Sequence, residues 1–171
     1  NKVLNNIDIP GGQYKITMSH SGSRNFAIWF YEDGEAYGDL LVNEIGVYSG
    51  AAVLRDGDQG PSQNAQFEVT ASGSWKIVIE RVSGTTTTNI KGSGTKVSGY
   101  FVGNGKRNTV DIKYSGSHNF VVIVYSILGY DALLANEIGS YSGQVTYYTY
   151  EGIEYFFSVQ SAGSWTVDFN L

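Results

Sequence analysis

Asn43-Glu44 and Asn136-Glu137 are the residues whose types first invite a catalytic reading. An Asn-Glu pair stands at the acid/base end of some glycosidase strands, and two carboxylates flanking a glycosidic bond can cleave it. Each pair, however, runs directly into Ile-Gly-x-Tyr-Ser-Gly. There Asn and Glu can hydrogen-bond a tight turn whose glycine takes dihedrals closed to other residues. The pairs therefore read as turn residues, with ligand contact as their other use, and no catalytic residue is assigned.

Three other groups could carry chemistry. Glu32-Asp33-Gly34-Glu35 with Asp39, and Asp56-Gly57-Asp58, alternate carboxylates with glycine, and calcium takes six to eight oxygens from such loops. Solvated acidic loops are the default expectation, so no metal site is assigned, and calcium is the one ion the pattern would suit. His20 and His118 lack motif spacing to a partner His, Asp or Ser and are expected to be surface or turn residues. The aromatics are richer. Trp29, and the run Tyr147-Tyr148-Thr149-Tyr150 followed by Tyr155, can stack on a sugar ring or anchor a protein interface.

The elements that must position these residues come in two copies. Leu40 to Gly50 reads LLVNEIGVYSG and Leu133 to Gly143 reads LLANEIGSYSG, identical at nine of eleven positions. Upstream, Ser21-Gly22-Ser23-Arg24-Asn25-Phe26 matches Ser115-Gly116-Ser117-His118-Asn119-Phe120, and Lys2-Val3 matches Lys96-Val97. Downstream, Gly73-Ser74-Trp75 matches Gly163-Ser164-Trp165. Self-similarity of this kind predicts an internal duplication. The expected boundaries are a first module over 1–82, a Thr/Gly/Ser-rich linker over 83–94 and a second module over 95–171, with a strand bridging the modules as the alternative for the Thr run.

Within each copy, apolar and polar residues alternate at period two between Gly, Asn, Asp and Ser turns, so the elements are strands. The pattern predicts them near 3–9, 13–19, 25–31, 38–42, 48–54, 65–71 and 74–82, then near 97–102, 108–114, 119–125, 132–135, 141–150, 153–160 and 164–170. The fold class is all-β: two tandem antiparallel β-sandwich modules of jelly-roll or immunoglobulin-like type. Alternation puts Phe26, Ile28 and Phe30 on the core face, opposite Ala27, Trp29 and Tyr31. Trp75 and Trp165, recurring in one setting, read as buried anchors.

Composition agrees. Gly supplies 22 of 171 residues against a usual ~7%, and charged residues 16% against a usual ~25%. The net charge of −5 argues against a nucleic-acid partner, since binders of the phosphate backbone cluster Lys and Arg. No run approaches the ~20 apolar residues of a membrane span, and no secretory leader opens the chain. The absence of Cys excludes disulfides and thiolate metal sites.

The string Ser-Gly-Ser-x-Asn-Phe, Leu-Leu-x-Asn-Glu-Ile-Gly-x-Tyr-Ser-Gly, Gly-Ser-Trp resembles a tandem module of secreted and surface proteins of bacteria. More loosely, it is similar to the jelly-roll accessory domains of secreted enzymes, such as pre-peptidase C-terminal domains. The resemblance implies an extracellular or cell-surface location and an accessory role, and carries no catalytic residue across. The expectation is a non-catalytic module that needs no cofactor and binds a polysaccharide or cell-surface glycan. Its contact residues would be Trp29, Tyr147, Tyr148, Tyr150 and Tyr155, with Asn43, Glu44, Asn136 and Glu137 behind them. Two alternatives stand beside it: a protein-interaction, adhesion or spacer module serving a protein partner or parent enzyme, and a glycan-cleaving enzyme using Glu44 or Glu137.

Overall fold

The computed structural model describes every residue except Asp56, Asp58, Gln59 and Thr87. It is all-β, with antiparallel pairing throughout the described sheet ladders, and it divides into two compact units, Asn1–Glu80 and Arg81–Leu171. Among the described residues no helix is long and apolar enough to cross a membrane.

The first unit is built from β1 (Lys2–Ile9), β2 (Tyr14–His20), β3 (Asn25–Tyr31), β4 (Asp39–Ile45), β5 (Tyr48–Arg55), β6 (Ser62–Thr70) and β7 (Trp75–Arg81). These make two sheets, ordered β1-β6-β3-β4 and β5-β2-β7. Every strand predicted for this copy is present. Phe26, Ile28 and Phe30 are buried, as period-two alternation requires, and share one core with Ile16, Met18, Phe67 and Val69 from β2 and β6.

The second unit comprises β8 (Asn89–Ser93), β9 (Lys96–Val97), β10 (Phe101–Val102), β11 (Arg107–Ser115), β12 (Asn119–Ser126), β13 (Gly129–Ile138), β14 (Tyr141–Tyr148), β15 (Glu154–Gln160) and β16 (Ser164–Asn170). One sheet runs β10-β15-β12-β13 with β9 also on β15; the other runs β14-β11-β16-β8. Strands bearing matched sequence thus occupy matched places: β3 and β12 each lie between partners that correspond, and so do β2 and β11. A bulge recurs too. Ile28 faces Val42 while Trp29 faces Leu40, which leaves Leu41 over; Val122 faces Ala135 while Ile123 faces Leu133, which leaves Leu134 over.

Three local expectations are corrected. Residues 89–93, inside the expected linker, form β8 and pair with β16 from Asn89↔Asp168 to Ser93↔Ser164. Composition hid this, because β8 is polar outward and only Ile90 packs on the core. The opening strand near 97–102 is broken into β9 and β10. Between them Ser98 accepts the Phe157 N–H with its hydroxyl at 2.8 Å and donates to Phe157 O from its backbone at 2.9 Å. The strand expected to reach residue 150 ends at Tyr148.

His20 is the fourth correction: it is buried, with 2% of its surface exposed, because Tyr14, Ile16, Met18 and His20 are the inward set of β2. Its ring stacks on Phe26 with centroids 4.7 Å apart and planes 8° from parallel. Nδ1 lies 2.8 Å from Gly46 O, and a carbonyl only accepts, so Nδ1 carries the proton and Nε2 accepts the Ser72 N–H. In the second unit Tyr114 takes the same place and stacks on Phe120 at 4.5 Å and 5°. His118 is exposed, as expected. Trp165 is a buried anchor whose indole N–H donates to Gly94 O at 2.8 Å, whereas Trp75 is only half-buried.

Because Phe26 closes the first core and supports His20, the Phe26→Ala variant is expected to lose about 3–5 kcal/mol of unfolding free energy. Urea unfolding followed by fluorescence measures it; a loss below about 1 kcal/mol would mean that the stack is not a core contact.

Candidate functional site

The outer face of the sheet β1-β6-β3-β4 follows from its inner one. With Phe26, Ile28 and Phe30 committed inward, β3 must show Trp29 and Tyr31 outward. Trp29 is 39% exposed and stands between Leu40 of β4 and Glu68 of β6, with Val3 of β1 beyond Glu68. One row along, Tyr31 faces Gln66; in the row on the other side, Ala27 lies between Asn43 and Thr70. Side chains in such adjacent positions are about 5 Å apart, the scale of a single sugar ring.

Polar groups beside Trp29 are held in place. The Tyr31 hydroxyl donates to Glu68 Oε2 at 3.4 Å, and Gln66 Nε2 donates to Glu68 Oε1 at 3.1 Å. Desolvation, with the nearby Glu68 charge, raises the Tyr31 phenol above its ordinary value, so it remains a donor at neutral pH. The face therefore presents a flat apolar ring with a fixed carboxylate and its two donors at one edge.

Of the other residues expected at a ligand surface, Asn43 belongs to this face and Glu44 does not. Glu44 is exposed but stands opposite the inward Phe26, so the pair divides between the two sides of β4. Burial, and then the Glu44 charge, pushes the Tyr48 phenol up to about 12. Gly46, just beyond, has φ 96° and donates its N–H to Arg24 O; Gly139, beyond Asn136-Glu137, has φ 87° and donates to His118 O. The glycine turn expected after each Asn-Glu pair is thus present. Asn136 and Glu137 are exposed on β13, opposite Val121 and Phe120.

The tyrosines of the second unit separate. Tyr155 is 1% exposed, and its hydroxyl accepts the Tyr150 N–H at 2.9 Å. Tyr147 is 9% exposed, packs edge-on against Tyr155 and Phe169, and donates its hydroxyl to Asp131. Burial and that carboxylate push its phenol far up. Both are core residues, which corrects their expected place at a surface: β15 is buried from Tyr155 through Val159, and its alternation carries no outward signal. Tyr148 and Tyr150 are 44% and 64% exposed and meet edge-on at 5.1 Å.

Sequence reading missed Leu40, Gln66 and Glu68 as neighbours of Trp29, because they converge only through strand register. It also missed an aromatic cluster on the corresponding sheet of the second unit, where Tyr125 stacks on Phe156 at 5.1 Å and meets Tyr130 edge-on. A shallow depression of about 720 Å³ in that unit is bordered by Lys91, Lys113, Tyr141, Ser142, Trp165 and Thr166. Its Trp165 is buried with its N–H already used, so it offers no free ring to stack on.

The acidic loop has structural employment. Glu32 pairs with the buried Arg55 at 2.9 Å. Asp33, at φ 45°, accepts on Oδ1 from the Ser62 hydroxyl and the Gln63 and Asn64 N–H groups at 2.9–3.0 Å. Asp56 and Asp58 of the second acidic stretch lie outside the described residues. Among the described residues no three His, Cys, Asp or Glu gather as a metal would require. Comparison with protein-family models and with curated proteins finds no match.

Tyr48 supplies a pH test. Its folded-state value of about 12 exceeds the ordinary 10, so its contribution to stability is complete below pH 10 and is lost as pH rises through 12. The Tyr48→Phe variant is expected to show a shallower decline in urea midpoint over that window; an unchanged slope would place Tyr48 in solvent.

Proposed function

We propose that the chain is a non-catalytic carbohydrate-binding module of an extracellular or cell-surface protein, and that the Trp29 face is where the sugar binds. The observation that carries this reading is Trp29 itself, exposed in the middle of a sheet face with Glu68, Gln66 and Tyr31 fixed beside it. A sugar ring has an apolar face of C–H bonds and an equatorial rim of hydroxyls. The indole would take the first, and the carboxylate and amide would take the second. The resemblance to bacterial surface modules points the same way, as does the low charge of the chain.

An adhesion or protein-interaction role is favoured by a different observation. The turn after β4 exposes Ile45 and Val47 at about four-fifths of their surface, and the matching turn after β13 exposes Ile138. Apolar tips of this kind suit contact with a protein surface. Nothing comparable favours cleavage by Glu44 or Glu137, which lie on separate units.

Affinity electrophoresis against a broad panel of soluble polysaccharides tests the proposal. Retardation by at least one glycan is expected. The Trp29→Ala variant should bind it about tenfold more weakly or worse, while Tyr148→Ala and Tyr150→Ala bind as the parent does. Absence of retardation across the panel, or retardation indifferent to Trp29, would overturn it.

A further inference from the structure

The two units differ at one edge. In the second, β16 is covered by β8; in the first, the corresponding β7 ends its sheet among the described residues, with β2 as its neighbour. The consequence reaches the core. The inward residues of β16, Trp165, Val167 and Phe169, are at most 5% exposed, while Trp75, Ile77 and Ile79 of β7 are only partly buried. A sheet edge with apolar residues open along it is a template for another strand.

The second unit also shows what fits. Ile90 packs on the core beside Val167, its partner in the ladder. Gly92 faces Trp165 so closely that a Cβ there would stand 2.7 Å from Trp165 Cζ2, and the same point is 3.2 Å from Lys96 Cδ. Gly94 O receives the Trp165 indole N–H. The first unit holds the matching wall of this seat: Lys2, which corresponds to Lys96, places its Nζ 5.8 Å from the Trp75 ring centroid.

We infer that the β7 edge is a strand-acceptor seat, filled by an extended peptide of the pattern x-Ile-x-Gly-x-Gly running antiparallel to β7. In register with the second unit, its first Gly lies against Trp75, its Ile against Ile77, and its last carbonyl takes the Trp75 indole N–H. Specificity resides in the first glycine, since any side chain there meets the Trp75 ring. Backbone pairing supplies the rest, so the outward residues are free to vary.

The test joins Asn-Ile-Lys-Gly-Ser-Gly directly ahead of Asn1 in the full chain, the spacing that β8 has to Lys96. Amide hydrogen exchange is then followed over residues 75–81, alongside a second version with Val as the fourth added residue. The glycine version is expected to slow exchange along β7 about tenfold or more and to shift Trp75 emission to the blue, and the valine version to do neither. Unchanged exchange with the glycine version would overturn the inference. Equal protection by both versions would overturn its glycine specificity. A dimer of the unextended chain with β7 already protected would put a second copy in the seat instead and overturn the assigned occupant. Glycan binding is measured on a different sheet, so its failure leaves this result readable.

Discussion

Trp29 is in solvent because its neighbours cannot be. Phe26, Ile28 and Phe30 are all but fully buried, and removing each from water is worth about 1.5–3 kcal/mol. A one-residue slip of β3 would exchange those three for Ala27, Trp29 and Tyr31 and would unseat the His20–Phe26 stack as well. The outer face is thus set by the inner one. The bulge at Leu41 completes it by bringing Leu40 opposite Trp29.

The same constraint in the second unit gives a different outer face. Phe120, Val122 and Val124 point inward, and Tyr114 stacks where His20 does. Ile123 then replaces Trp29 as the outward residue at the centre of the strand, and Tyr125 replaces Tyr31. Matched inner faces with unlike outer faces are what two modules with one architecture and separate tasks would display.

Strand positions were legible because period-two alternation between glycine turns is a local signal, and so were the inward set of β3 and the turns at Gly46 and Gly139. His20 was legible in principle, since Tyr14, Ile16 and Met18 announce its face, but its place next to the Ser21-Gly22-Ser23 turn gives it the local look of a surface residue. Tyr155 could not be read from alternation, because β15 is covered on both sides. β8 could not be read from composition, because its polar residues belong in a strand only when β16 offers an edge. Glu68 and Gln66 needed register, which no single strand contains.

Binding by the first unit would pass through Trp29, the ring that its core forces outward. The most direct measurement is an NMR titration of the three tryptophan indole N–H signals, those of Trp29, Trp75 and Trp165, with the oligosaccharide form of any retarding glycan. The Trp29 signal is predicted to move saturably while the other two stay still. Movement at Trp75 or Trp165 with Trp29 unmoved would contradict binding through the Trp29 face.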